Sequence, residues 1–117
     1  MNEPRQGEIW WVDFDPSKGS ETKKIRPAVV VSCDTAGKLP LRIVVPLTDW
    51  KDHYCDCPWF TLFSPNRANG LTKKAGADGF QIKSISVERF QQKMGSISSD
   101  ELQDIHYTVL LCLGVVE

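Results

Sequence analysis

Hydrophobic and polar residues alternate along most of the chain, which is the two-residue period of β-strands. The clearest case is residues 8–14, where Trp10, Val12 and Phe14 share one face ahead of the turn signal Asp15-Pro16. Apolar or β-branched segments predict four further strands, at residues 27–32, 42–47, 54–63 and 79–85. We expect the second strand to be buried on both faces, because it is a continuous apolar run.

Near the C-terminus the hydrophobic period changes to that of an α-helix. Ser98 and Glu101 have the spacing of a capping box, apolar residues then recur at helical spacing from Leu102, and Gly114 provides a stop signal. A shorter helical turn is predicted at residues 87–91. The pattern therefore predicts one domain over residues 1–117 of the mainly β (α+β) class, a small antiparallel β-sheet or barrel with one C-terminal helix.

Composition places the chain among ordinary globular proteins. Of its 117 residues, 41% are hydrophobic and 25% are charged, which is enough apolar material for one core. We expect no membrane association and a cytoplasmic location, because no apolar run has a spanning length and residues 1–6 lack the features of a signal peptide. The closely spaced Cys55 and Cys57 do not bridge easily, so we expect reduced thiols rather than a disulfide framework.

Charge is balanced overall but uneven along the chain. A net charge of −1 argues against a protein that coats nucleic acid non-specifically. Basic residues nevertheless cluster in the polar, glycine-bearing stretch at residues 17–25. This stretch is followed by Arg26, directly before the second predicted strand. Arginine presents fixed donors that match phosphate oxygens and does not lose its proton. Most arginines beside strands are solvated edge residues, so only the wider pattern makes Arg26 a candidate phosphate-binding group.

Familiar enzyme motifs are absent from the sequence. It has no glycine-rich phosphate loop, no nucleophile elbow and no histidine pair at metal spacing. His53, Cys55 and Cys57 alternate metal-binding side chains, but the second half of a zinc site is missing, so we favour a structural role and predict no metal and no cofactor. The four tryptophans either stack on bases or fill the core, and we expect at least half of them in the core.

Taken together, short motifs along nearly the whole chain resemble the MazF/PemK toxins of toxin–antitoxin systems. The motifs, in order, are RQGEIWWVDFDP at residues 5–16, GSE at 19–21, RPAVVVS at 26–32, VPLT at 45–48, QIKSI at 81–85 and LG at 113–114. Each is weak alone, but their order and spacing are specific. The resemblance implies an SH3-like antiparallel β-barrel that forms a homodimer and is held by a cognate antitoxin.

The same resemblance implies a metal-independent, sequence-specific endoribonuclease that cuts single-stranded RNA, including mRNA. It assigns the chemistry to Arg26 and Thr48. Arg26 would neutralise the scissile phosphate and assist proton transfer, and the Thr48 hydroxyl would donate to the same oxygens while the ribose 2′-hydroxyl attacks. The product would be a 2′,3′-cyclic phosphate, and the sequence leaves the general base open.

Sequence choice is expected to come from two segments, the loop at residues 17–25 and the QIKS motif. The resemblance implies that these segments contact splayed bases and the RNA backbone. The expected RNA-binding residues are Ser20, Glu21 and Gln81 for base edges, Lys24 and Lys83 for phosphates, and Ser84 beside them. Phe80 replaces an acidic residue of many relatives, and Lys83 replaces an arginine. Phe80 either stacks on a base or belongs to the core.

Two alternatives of other classes remain open at this stage. One is a gyrase-directed toxin of the same fold, which acts through the end of its C-terminal helix. Residues 113–117 lack the bulky aromatic that this contact favours. The other is a non-cleaving RNA- or protein-binding barrel, against which the presence of both Arg26 and Thr48 argues.

Overall fold

The computed structural model describes residues 3–36 and 38–117, which form a mainly antiparallel sheet followed by one α-helix. The elements in chain order are β1 (Glu8–Asp13), β2 (Ile25–Val30), β3 (Leu41–Asp49), β4 (Phe60–Phe63), β5 (Ala75–Asp78), β6 (Lys83–Ser86), β7 (Phe90–Ser96) and α1 (Ser99–Cys112). Short 3-10 helices lie at Asp34–Ala36, Asp52–Asp56, Gly79–Gln81 and Val87–Arg89. The predicted fold class is confirmed. The N-terminal expectation partly concerns Met1 and Asn2, which lie outside the described residues.

Strand β3 connects the two parts of the sheet. The strand order is β4-β5-β3-β2-β1-β7, and β6 also pairs with β3. The first half of β3 pairs with β6, with Leu41 opposite Ser86, and its last residues pair with β5, with Thr48 opposite Gly76. Every pairing is antiparallel. The end of β3 therefore lies where the two parts of the sheet meet.

The central strands bury side chains on both faces, because the curled sheet has a core on each side. One core contains Ile9 and Val29 together with Ile105 of α1. The other contains Trp10 and Ala28, the immediate neighbours of those strand residues. The expectation that the second strand is buried on both faces is confirmed, since Ala28, Val29 and Val30 have no exposed surface.

Helix α1 begins and ends where its sequence signals predict. The Ser98 hydroxyl accepts a hydrogen bond from the Glu101 amide at 3.1 Å, and the Glu101 carboxylate accepts one from the Ser98 amide at 2.9 Å. After the last turn Gly114 has a φ of +77°, a conformation that favours glycine. Within the part of the chain that the model describes, no helix is long and apolar enough to cross a membrane.

Two of the predicted strands are wrong in part. Residues 54–63 contain only the four-residue β4, because Asp52–Asp56 form a 3-10 helix. Residues 79–85 begin with another 3-10 helix, since the Asp78 carboxylate accepts a hydrogen bond from the Phe80 amide and caps that turn. The helical turn predicted at residues 87–91 is confirmed over Val87–Arg89.

Strands β5 and β7 were not predicted. β5 has the sequence AGAD, in which small residues predominate. The sequence of β7 contains the polar run Gln91, Gln92 and Lys93. Neither segment has the β-branched alternation that marks a strand. Both form because strands distant in the sequence supply hydrogen-bonding partners, β3 and β4 for β5 and β1 for β7.

The expectation that at least half of the tryptophans fill the core is wrong. Trp10 is buried and packs edge-on against Phe90, with ring centroids 5.9 Å apart. Trp50 and Trp59 are only partly buried, and Trp11 is exposed. The core is small and is filled mainly by aliphatic side chains, so three of the four tryptophans lie at its edge rather than within it.

Glu8 is expected to make folding stability depend on acid pH. Its carboxylate accepts hydrogen bonds from the Trp10 indole at 3.0 Å and the Arg5 amide at 2.8 Å, and pairs with Lys93 at 2.9 Å. Burial raises the pKa of Glu8, but these hydrogen bonds and the lysine charge outweigh it and hold the pKa below the ordinary 4.5. A lowered folded-state pKa contributes stability above the unfolded value, and this is lost as pH falls through the folded value.

Glu8→Gln should therefore lower the free energy of unfolding near neutral pH by about 1 kcal/mol. It should also flatten the loss of stability in the window below pH 4.5. Urea unfolding over a pH series measures both effects, and Glu88→Gln is the control at an exposed position. Parallel pH profiles for the wild type and Glu8→Gln would contradict this assignment.

Candidate active site

Arg26 lies near the start of β2, opposite Val12 of β1, and is partly buried. Its Nε donates to the carbonyl of Lys23 at 3.3 Å, which orients the guanidinium. Within residues 3–36 and 38–117 no carboxylate pairs with it, and its terminal nitrogens donate to no other group. The two outer amino groups are thus available to an anion such as phosphate.

Thr48 lies near the end of β3 and faces the same region as Arg26. Strands β2 and β3 pair Ala28 with Pro46, and continuing this register by two residues brings Arg26 opposite Thr48. The side chain of Thr48 is partly buried, and its hydroxyl makes no hydrogen bond within the described chain. The structure therefore brings the two predicted catalytic residues together, each with uncommitted donors.

Two clefts open on either side of this pair. We call the one with the smaller volume, about 210 Å³, the narrow cleft, and the one with the larger volume, about 370 Å³, the wide cleft. The residues that line both clefts are Arg26, Leu47 and Thr48. The narrow cleft is also lined by Ser20, Glu21, Thr22, Lys23, Pro46, Tyr54, Phe60, Asp78 and Gln81. These three shared residues form the boundary between the two clefts, which we call the ridge. An extended chain lying across the ridge would contact both clefts.

Gln81 holds the loop beside this site. Its side-chain carbonyl accepts a hydrogen bond from the Thr22 amide at 3.1 Å, and its side-chain amide donates to the Ser20 carbonyl at 2.8 Å. Within the loop, the Glu21 carboxylate accepts a hydrogen bond from the Lys18 amide at 2.6 Å. Both polar ends of Gln81 are therefore engaged with loop backbone, which places Ser20 and Glu21 at the narrow cleft.

Gln81→Leu is expected to loosen this loop without unfolding the protein. The substitution removes both hydrogen bonds, and a loss of roughly 1 kcal/mol corresponds to about fivefold faster amide exchange at Thr22. Hydrogen exchange resolved to single residues measures the effect. Gln92→Leu, at an exposed position of β7, is the matched control and should leave the Thr22 rate unchanged. An unchanged Thr22 rate in Gln81→Leu would show that other contacts hold the loop.

The remaining predicted RNA-binding residues lie at different distances from the ridge. Lys83 lines a third cleft of about 250 Å³, together with Phe80. Lys24 and Ser84 line none of the three clefts. The backbone of Lys24 closes the base of the loop instead, since its amide donates to the Asp15 carboxylate at 3.0 Å. Their roles toward RNA, like those of the other site residues, stay predictions.

Three residues of the narrow cleft were not identified from the sequence. Tyr54 and Phe60 were interpreted as parts of one strand, although the density of aromatic residues between positions 50 and 60 was an available signal. No sequence feature marks Asp78 as a site residue. Burial raises the pKa of its carboxyl, while the hydrogen bond from the Phe80 amide opposes that rise.

The cysteine and histidine side chains of residues 53–57 make contacts other than metal ligation. The ring of His53 packs against Tyr54 with centroids 4.7 Å apart, and the Cys57 thiol donates to the His53 carbonyl at 3.7 Å. Across residues 3–36 and 38–117, no three His, Cys, Asp or Glu side chains group in a way that could hold a metal ion.

Comparison with known proteins gives consistent results. Residues 5–113 match the family model described as PemK-like, MazF-like toxin of type II toxin–antitoxin systems. The chain is 36% identical to Endoribonuclease MazF9 of Mycobacterium tuberculosis over 117 residues, covering 95% of this chain and 97% of the relative. This match reaches nearly from end to end, so it includes the loops as well as the strands.

Solved structures share the fold. The crystal structure of MazF from Deinococcus radiodurans superposes with a TM-score of 0.79 at 22% identity, covering 97% of this chain and 99% of that one. A mycobacterial endoribonuclease solved in complex with its cognate antitoxin superposes with a TM-score of 0.75 at 15% identity, covering 98% and 99%. With the family model matching most of its length, this chain belongs to the PemK-like, MazF-like toxins of type II toxin–antitoxin systems.

Proposed function

We propose that this protein is the endoribonuclease toxin of a type II toxin–antitoxin pair and that it cleaves single-stranded RNA in a sequence-specific manner without a metal. The observation that carries the proposal is the ridge, where Arg26 and Thr48 adjoin with uncommitted donors between two grooves. Family membership and the identity to an endoribonuclease over nearly the full chain support the same activity.

The proposed reaction uses the substrate's own nucleophile. The ribose 2′-oxygen attacks the adjacent phosphorus and loses its proton, while the bond from phosphorus to the 5′-oxygen breaks and that oxygen gains a proton. The products are a 2′,3′-cyclic phosphate and a 5′-hydroxyl. Negative charge is held on the equatorial phosphate oxygens during this exchange, so fixed donors at those oxygens lower the barrier.

Arg26 and Thr48 supply those donors in the proposed mechanism. The outer nitrogens of Arg26 bind two phosphate oxygens, and the Thr48 hydroxyl donates to one of them. Arg26 can assist proton transfer to the leaving oxygen, but it is a poor base because its pKa is high. Its main contribution is therefore electrostatic.

Specificity is assigned to the loop at residues 17–25 and to the QIKS motif at residues 81–84. Ser20, Glu21 and Gln81 lie at the narrow cleft and carry donors and acceptors for base edges. Gln81 is held in position by its bonds to the backbone of Ser20 and Thr22, and its second amide hydrogen and second carbonyl lone pair remain for a base edge. Loop position and base reading are thus coupled. Lys24, Lys83 and Ser84 are assigned to the RNA backbone.

The proposed partners are a cognate antitoxin and a second copy of this chain, in the cytoplasm. The solved complex of a mycobacterial endoribonuclease with its antitoxin supports the first partner. An acidic segment of the antitoxin would compete with RNA for the basic surface of the loop, residues 17–25. Both partners can be tested by size-exclusion chromatography with light scattering.

The test of the activity is incubation of the purified protein with a long unstructured RNA in excess chelator. Discrete fragments on a denaturing gel, carrying cyclic phosphate ends, are the expected result. Their mapped ends give the recognition sequence. Intact RNA after incubation with a folded protein would overturn the proposal, and inhibition of DNA supercoiling in the same preparation would favour the gyrase-directed alternative.

A further inference from the structure

Five aromatic rings form a continuous run that passes along the narrow cleft. Trp50 meets Tyr54 edge-on at 5.6 Å, and Tyr54 stacks on Phe60 at 3.9 Å with nearly parallel planes. Phe60 lies 6.4 Å from Trp59, and Trp59 meets Phe80 edge-on at 5.7 Å, all measured between ring centroids. Tyr54 and Phe60 line the narrow cleft beside Arg26 and Thr48, and the run continues from Phe60 through Trp59 to Phe80.

The sheet beneath this aromatic run makes room for it. A Cβ at Gly76 of β5 would lie 3.0 Å from a carbon of Phe60 and 3.2 Å from one of Trp50. Any larger residue at this position would push the rings away from the strand. Phe60 and Trp50 are therefore seated against the backbone of β5, which favours a preformed surface in this part of the run.

Phe80 at the outer end of the run is presented to solvent. Its side chain is 62% exposed, which rules out the core role left open by the sequence. Its backbone is fixed on both sides, by the Asp78 cap on its own amide and by the hydrogen bonds of Gln81 to the loop. A fixed backbone thus holds an apolar ring whose larger part faces water, and that exposed part adds nothing to the stability of the isolated chain.

The third cleft combines this ring with a cation. It is lined by Phe80 and Lys83 together with Glu21, Thr22 and Gln81, and Glu21 and Gln81 also line the narrow cleft. An aromatic ring and a lysine side by side match the two halves of a nucleotide, the flat base and the phosphate. An apolar peptide side chain would use the ring but not the lysine.

We propose that Phe80, supported by Trp59, is a stacking subsite for one unpaired base flanking the scissile phosphate, and that Lys83 binds the phosphate of the same nucleotide. The inference rests on the proposed function and assigns a specificity-determining site for it. Stacking is tolerant of base identity because every base has a π-face. The subsite therefore strengthens binding next to positions that are read by hydrogen bonds.

The experiment is a double-mutant cycle that combines removal of the Phe80 ring with removal of individual RNA bases. It uses an oligonucleotide containing the mapped recognition sequence with a 2′-deoxy sugar at the cleavage position, so that binding is measured without cleavage. Each flanking base is removed in turn by an abasic substitution. The proteins are the wild type, Phe80→Ala, Phe80→Trp and Tyr107→Ala, the last removing another exposed aromatic ring, on α1.

Phe80→Ala should weaken binding of the intact oligonucleotide about tenfold. One abasic position should weaken wild-type binding by a similar factor and should have no further effect on Phe80→Ala. Phe80→Trp should retain the dependence on that base, and Tyr107→Ala should match the wild type. Urea unfolding confirms that each variant is folded.

The contrary outcomes are distinct. If the wild type cleaves and binds RNA but the losses from Phe80→Ala and from every abasic position simply add, the subsite is wrong and the proposed function stands. If Phe80→Ala impairs binding of a protein partner while RNA binding is unchanged, Phe80 is a protein-docking residue and the subsite is again wrong. If the folded wild type neither binds nor cleaves RNA, both proposals fail.

Discussion

Arg26→Ala is expected to lower kcat/KM for RNA cleavage by about 10³-fold. The substitution removes both outer nitrogens that would hold the charge of the transition state, and among the described residues no other cation lines both clefts. Arg26→Lys should recover only a small part of the loss, because a single ammonium cannot make two parallel bonds to a phosphate. A fluorogenic oligonucleotide containing the mapped cleavage sequence measures the rates in excess chelator.

Folding must be separated from chemistry in this experiment. Within the described residues the Arg26 side chain donates one hydrogen bond, to the Lys23 carbonyl, and makes no ion pair, so Arg26→Ala should change the free energy of unfolding by less than about 1 kcal/mol. Arg67→Ala, at an exposed loop position, is the matched control and should keep full activity. A folded Arg26→Ala protein with more than a tenth of wild-type activity would remove Arg26 from the mechanism.

Asn69→Ala is expected to give the largest loss of stability, about 3 kcal/mol. Asn69 has no exposed surface, and its side chain bonds three backbone groups. Its carbonyl accepts from the amides of Asn66 at 3.1 Å and Leu71 at 2.9 Å, and its amide donates to the Ser64 carbonyl at 2.9 Å. Alanine would remove all three bonds at this buried position and would leave a cavity there.

The surroundings of Asn69 prevent the turn from adapting. A Cβ at Gly95 of β7 would lie 2.6 Å from backbone atoms of Asn69, so strand and turn are already in close contact. Asn66→Ala is the matched control, because its exposed side chain makes one hydrogen bond, to the Asn69 amide, and its loss should cost about 1 kcal/mol. Urea unfolding measures both variants, and equal losses would mean that burial of the amide is not decisive.

Disorder of this turn in Asn69→Ala should also disturb the candidate active site. Gly70 and Leu71, which follow Asn69 directly, line the wide cleft. At temperatures where Asn69→Ala is still folded, we therefore expect reduced RNA cleavage as well as reduced stability.

The parts of the fold that the sequence predicted are those with local causes. The apolar alternation of β1, the buried run of β2 and the capping box of α1 each arise from neighbouring residues. Strands β5 and β7 escaped prediction because their residues have no strand preference of their own and depend on partners far away in the chain. The 3-10 helix at Asp52–Asp56 was hidden in a run of aromatic residues that also fits a strand.

For the site, the sequence by itself determined the residue types. It provided Arg26 before a rigid strand, Thr48 at the end of another, and a polar loop between the first two strands, and its motifs indicated the toxin family that the comparisons confirm. It did not determine which of these side chains meet. That depends on strand register, since a shift of one residue would turn Thr48 to the other face of the sheet.

Tertiary structure alone decided the remaining features. It engaged both ends of Gln81 with the loop, and it seated Phe60 over Gly76 and left Phe80 exposed. Each of these contacts joins residues at least sixteen positions apart or depends on how closely two strands approach. Local sequence patterns carry no information on such distances, because they are set by the packing of the whole sheet.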